Sequence, residues 1–223
     1  MIAVLTRRRV MVGSGALAAG AAPRGAPAAV TSVPPGLLRF DVFRNDSLIG
    51  QHVINLTRDG AVLLASIDVR LVITLGPIAL YRYTHTVREQ WRDGLFERME
   101  SNTNDDGTIH DVRAERTPEG VVVRTGNGKR VVMSAAMIPL THWNYLCMSV
   151  PLFNPQTGEQ VRPQVLEHGE ESVSLADGRA IRARRYSLTG DVALDDWYDE
   201  AHSWVALRTT GRDGSAIAYR RAI

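Results

Sequence analysis

Leu63-Leu64-Ala65-Ser66-Ile67-Asp68-Val69-Arg70-Leu71-Val72-Ile73-Thr74-Leu75 is the stretch that decides the fold. Leu63, Ala65, Ile67, Val69, Leu71, Ile73 and Leu75 recur at every second position, with Ser66, Asp68 and Arg70 between them. A period of two puts successive side chains on opposite faces, so this is a strand with one buried face. After Gly76-Pro77 the pattern repeats. Tyr81, Tyr83, His85, Val87, Glu89 and Trp91 face one way, and Arg82, Thr84, Thr86, Arg88 and Gln90 the other. Working outward, turn signals stand at Asn45-Asp46, Asp59-Gly60, Asp93-Gly94, Asp105-Asp106-Gly107, Glu119-Gly120 and Asn127-Gly128. Their spacing suits hairpins, which predicts antiparallel neighbours. A second meander starts at about Glu171 and turns at Asp177-Gly178 and Asp213-Gly214.

Between the meanders the period is lost. Trp143, Tyr145, Leu146 and Met148 crowd a segment that predicts a short helix from about Thr141 to Ser149. Thr141 is its expected N-cap, and Pro151 and Pro155 would end it. A twisted sheet of this many strands has to curl or cover its edges. The expected fold is therefore mainly β: an antiparallel meander forming a partly open β-barrel, with one short helix packed against it.

A length of 223 residues fits one domain. The 19 Gly and 10 Pro follow no period, which excludes collagen and repeat arrays. Cys147 is the only cysteine, so disulfide scaffolds, zinc ribbons and CxxC redox sites are excluded. The formal charge of +2 rests on the first thirty residues, which hold four Arg and no acid; the remainder is slightly acidic. A field for nucleic acid is therefore not expected. Arg7-Arg8-Arg9 precedes a weakly apolar run from Val10 to Ala22, with small-residue exits at Ala19-Gly20-Ala21 and Ala26-Pro27-Ala28. This reads as a twin-arginine signal peptide over 1–29, then a linker over 30–36 and a single domain over 37–223. The run is too short to span a bilayer. The expectation is a soluble periplasmic monomer, exported by the twin-arginine machinery.

Several segments carry a family resemblance. They include Leu38-Arg39-Phe40-Asp41-Val42 with Ile49-Gly50, Gly76-Pro77-Ile78 with Tyr81-Arg82-Tyr83-Thr84-His85, and Glu89-Gln90-Trp91. Further along come Ser101 to Gly107, Thr141-His142-Trp143-Asn144, Leu188-Thr189-Gly190-Asp191, Trp197-Tyr198-Asp199 and Thr210 to Ser215. In these, in order, the chain resembles the exported bacterial proteins known as domain of unknown function 6134. The resemblance implies a mostly β exported domain and supplies no activity.

Candidate site residues come from the apolar face and the central segment. His85 and Glu89 share a face among Tyr83 and Trp91, where a charge is costly unless paired. His142-Trp143-Asn144 opens the expected helix, and Trp197-Tyr198 suits a rim or a core wall. No HExxH spacing and no GxSxG elbow occurs in the mature chain, so neither a metal nor a cofactor is assigned. Asn102, Asn104, Asp105 and Asp106 read as turn formers rather than a calcium loop. Three readings follow. The first is a non-enzymatic domain binding an apolar or amphipathic small molecule between sheet and helix through Tyr83, His85, Glu89, Trp91, His142, Trp143, Asn144, Trp197 and Tyr198. The second is a metal-assisted or acid/base enzyme using His85, Glu89 and His142. The third is a structural interaction module of the cell envelope.

Overall fold

The computed structural model describes residues 35–223. The leader expected over 1–29, and the linker as far as residue 34, lie outside them. The first meander runs β1 (Gly36–Arg44), β2 (Ser47–Asp59), β3 (Val62–Leu75), β4 (Ile78–Arg92), β5 (Leu95–Asp105), β6 (Thr108–Thr117), β7 (Gly120–Thr125) and β8 (Arg130–Met133). A short insert follows: β9 (Ile138–Pro139), β10 (Leu152–Phe153) and β11 (Gln160–Val161). The second meander is β12 (Pro163–Ser174), β13 (Ala180–Gly190), β14 (Leu194–Tyr198), β15 (Trp204–Thr210) and β16 (Ala216–Ala222).

The two meanders make one 13-stranded antiparallel sheet, joined where β1 pairs with β16. Its edges are β12 and β8, which do not pair with each other, so the barrel is not closed. The turns follow the sequence signals. Asn45 and Asp46 both take positive φ, as do Asp93-Gly94 and Asp106-Gly107, which is the primed turn geometry of tight hairpins. Along β4 the alternation holds: Tyr81, Tyr83, His85, Val87, Glu89 and Trp91 are all buried.

The central segment departs from expectation. In place of a helix over Thr141–Ser149 it forms a four-residue 3₁₀ turn, Tyr145–Met148, capped by Asn144 and not Thr141. The reason lies on either side. β9 pairs in parallel with β10, and the Leu140 N–H donates to the Phe153 carbonyl at 2.8 Å. A chain that must leave β9 and return alongside it has no room for a longer helix, and the cap bond from Leu146 N–H to Asn144 Oδ1 sets the single turn.

This insert fills the inside of the sheet. Trp143 packs edge-to-face on Trp91 of β4, while His142 stacks on Trp204 of β15. Phe40, Trp204, Phe96, Phe153, Tyr198 and Trp143 belong to one apolar core that both meanders share. A second, small cluster around Trp197, Val205 and Leu175 is separate from it.

Candidate functional site

Register places one rank of side chains across the inner face: Phe40, His52, Val69, His85, Thr103 and His110, each the cross-strand partner of the next. Four residues further along β4, Glu89 stands opposite Ala65 and Met99. Thr141 and His142 of the insert close over these ranks. The result is an interior cavity of about 90 Å³, with His52, His85, Glu89, Tyr83, Thr141, His142, Thr209 and Tyr219 among its walls. That volume holds a few water molecules.

Each polar group in the cavity is held differently. His85 Nδ1 and Thr103 Oγ1 are 2.8 Å apart. Burial lowers the His85 pKa to about 4, so the ring is neutral at ordinary pH. His52 lies edge-on to Trp204 and Tyr219, and its Nε2 is buried without a hydrogen bond. Burial first, then the nearby His142 and His85, hold its pKa well below the usual value. Glu89 Oε2 accepts a hydrogen bond from Trp91 Nε1 at 3.0 Å, while Oε1 has no well-formed partner. Burial raises the Glu89 pKa to about 7, against the weaker downward pull of Trp91, Thr141 and Trp143. His142 Nδ1 lies 2.9 Å from Asp196 Oδ2, and Asp196 Oδ1 accepts from Trp204 Nε1.

The structure thus gathers four of the sequence candidates, Tyr83, His85, Glu89 and His142, around one space. The other five have structural surroundings. Trp91 and Trp143 pack on each other, and Asn144 caps the 3₁₀ turn. Tyr198 donates from its hydroxyl to the His142 carbonyl at 2.9 Å and touches Cys147 Sγ at 3.5 Å. Trp197 belongs to the separate small cluster, where Nε1 donates to Glu171 and Arg208 lies over the ring. Burial holds the Cys147 thiol protonated, far above its ordinary pKa. The acidic turn is spent on itself and its neighbours. Asn104 accepts from the Gly107 N–H, Asp105 from the Tyr81 hydroxyl, and Asp106 from the Arg82 N–H. Among the described residues, no group of three or more His, Cys, Asp or Glu side chains is gathered to hold a metal ion.

Sequence reasoning missed His52 and Asp196. The His52 signal was present, since Ile54 and Leu56 follow it at a period of two and mark its face as buried. Asp196 gave no signal, because its partner His142 lies 54 positions away. Also unforeseen was a larger groove of about 1490 Å³ at the end of the sheet where β5 turns into β6 and β15 into β16. Val131, Met133, Met137 and Val161 supply apolar wall, and Asp105, Lys129, Asp191 and Arg212 supply charge. Asn154 and Gln156 border both the groove and the interior cavity.

No helix among the described residues is long and apolar enough to cross a membrane. Comparison with curated proteins gives no match. Among solved structures, the chain is similar to a β-barrel-like protein of domain of unknown function DUF1849 from Brucella abortus. The identity is 10%, the TM-score 0.59, and the match covers 88% of this chain and 98% of that one. A likeness at that identity establishes the fold alone. Residues 40–222 match the family described as Domain of unknown function (DUF6134), and the chain belongs to that family.

Proposed function

We propose that this domain is a non-catalytic binding protein for an apolar or amphipathic small molecule, acting after export to the periplasm. The supporting observation is the 1490 Å³ groove with its apolar wall and charged rim. Binding sites of this kind combine apolar lining with a few placed polar groups. The insert is packed onto the sheet, Trp143 on Trp91 and Tyr145 and Cys147 of the 3₁₀ turn on Tyr198, so the ligand belongs at the open end of the sheet, not between sheet and helix. In this reading the curled sheet acts as a partly open barrel, with the groove at its mouth. Arg7-Arg8-Arg9 before a weak apolar run supports the export. The test is titration with a dansyl-labelled fatty acid. The expected result is a saturable fluorescence rise that Met133→Asp weakens about ten-fold, because the substitution sets a charge in the apolar wall. Absence of saturable binding, or equal binding by the variant, would remove the reading.

One observation favours a second reading, acid/base chemistry by His85, Glu89 and His142. The three share a cavity in which Glu89 titrates at about 7. At about 90 Å³ that cavity admits only a very small substrate, which makes binding in the groove the stronger proposal.

A further inference from the structure

From Leu71 to Tyr81 the chain reads Leu-Val-Ile-Thr-Leu-Gly-Pro-Ile-Ala-Leu-Tyr, eleven residues without a charge. In the fold this is the far end of the β3–β4 hairpin. β2 pairs with β3 only as far as Leu71, and β5 pairs with β4 only as far as Tyr83. Beyond those points the hairpin projects as a two-stranded ribbon. Tyr81 turns inward, but four of its apolar side chains stand out: Leu75 is 69% exposed, Ile78 62%, Leu80 57% and Val72 41%, and Leu48 at the start of β2 is 60% exposed. Leu75 pairs with Ile78, and Val72 with Arg82. Val72 and Leu75 are three apart on a strand with no extra residue between them, so exposed apolar groups stand on both faces of the ribbon. Charge begins again at Arg82, directly opposite Val72, and at Arg70, two residues before Val72 on β3.

We infer that this tip docks the protein on a lipid bilayer by inserting its apolar end among the headgroups. The argument is one of shape and size. A flat protein partner covers one face of a ribbon, whereas a fluid apolar medium covers both. A stable protein interface engages roughly 20–30 residues a side, and the ribbon presents four exposed apolar side chains, with a fifth, Leu48, on β2. A contiguous apolar patch on a projecting element marks a contact site, and interfacial binding strengthens with the apolar area buried. The tip lies at the same end of the sheet as the groove, since the Tyr81 hydroxyl donates to Asp105, a groove residue, at 2.7 Å. The docking itself does not depend on ligand binding there.

The test is co-sedimentation of the full chain with phosphatidylcholine vesicles at low and high salt. Wild type is expected to bind at both, because the contact is apolar, and Ile78→Asp to partition about ten-fold less. Residues 1–34 are shared by both chains, so the difference reports on the tip. In Ile78→Trp, the new indole should shift to shorter emission wavelength when vesicles are added. Position 78 is exposed, so circular dichroism of both variants should match wild type. Failure of wild type to bind, equal binding by Ile78→Asp, or an unshifted Trp emission would overturn the proposal. So would a wild-type dimer in light scattering that Ile78→Asp dissolves, which would assign the tip to a second copy.

Discussion

Glu89 and His85 sit four residues apart on one face of one strand, and burial moves their protons in opposite directions. Glu89 rises from 4.5 to about 7, and His85 falls from 6.5 to about 4, with His52 also well below 6.5. For Glu89, the folded state keeps a proton that the unfolded chain has lost, so its contribution to stability falls as pH rises from 4.5 to 7. For the two histidines, the unfolded chain gains protons that the folded state refuses, so stability is lost as pH falls below 6.5. Between 4.5 and 6.5 these three groups leave the unfolded state ahead by one proton, and stability climbs with pH. From 6.5 to 7 only Glu89 acts, and stability declines. Glu89→Gln should therefore steepen the climb by ~1.4 kcal/mol per pH unit and abolish the decline. Urea unfolding of wild type and variant across this range would show it, because all other groups cancel in the difference. Identical pH profiles would mean that Glu89 is ionised in the fold at these pH values. The apolar setting of both residues was legible in the sequence, because Tyr83, Val87 and Trp91 flank them at a period of two. Their meeting with His142 was an expectation of the sequence that geometry alone could test. The His52 signal was weaker only at Val53, which interrupts the polar face formed by Gln51, Asn55 and Thr57.

Strands and turns were the most readable elements, since each hairpin needs local chemistry that shows in two or three residues. The 3₁₀ turn was not, because parallel pairing of β9 with β10 joins residues more than ten positions apart and overrides local helix preference. Close approach between strands is equally hidden. Gly50 takes φ +154°, and a Cβ there would collide with the carbonyl oxygen of Arg70 on β3. The neighbouring bulge between Val42 and Phe43 brings β2 into this position. Gly50→Ala is expected to cost about 1–3 kcal/mol, from forced separation of β2 and β3. Gly169→Ala is the control. Nothing lies within 4 Å of a Cβ there, so its effect should stay within about 0.5 kcal/mol. Thermal melts of both variants would check the contrast, and equal melting temperatures would mean that the strands accommodate the methyl group.

Across the whole molecule, stability is unevenly shared. Both meanders and the insert share the large core that contains Trp91, Trp143, Phe40 and Phe96, where truncating a buried aromatic costs about 3–5 kcal/mol. The β12–β13 hairpin has little of this. Most of β12 is exposed, and it is an edge strand with pairing on one side only. What crosses it instead is a row of surface ion pairs: Arg184 with Glu167 at 2.6 Å and with Glu170, Arg182 with Glu170, and Arg185 with Glu171. Exposed pairs of this kind contribute at most about 1 kcal/mol each, and salt screens them. The hairpin should therefore open on its own, well below the free energy of global unfolding. Hydrogen exchange read by mass spectrometry should find β12 amides exchanging before those of β3 and β4. Raising the salt should speed exchange in β12 and leave β3 and β4 unchanged, because the latter are held by apolar burial that added salt does not weaken. If β12 instead exchanges together with β4 at both salt concentrations, the two meanders unfold as one unit. The ion-pair row would then be incidental to what holds the edge in place.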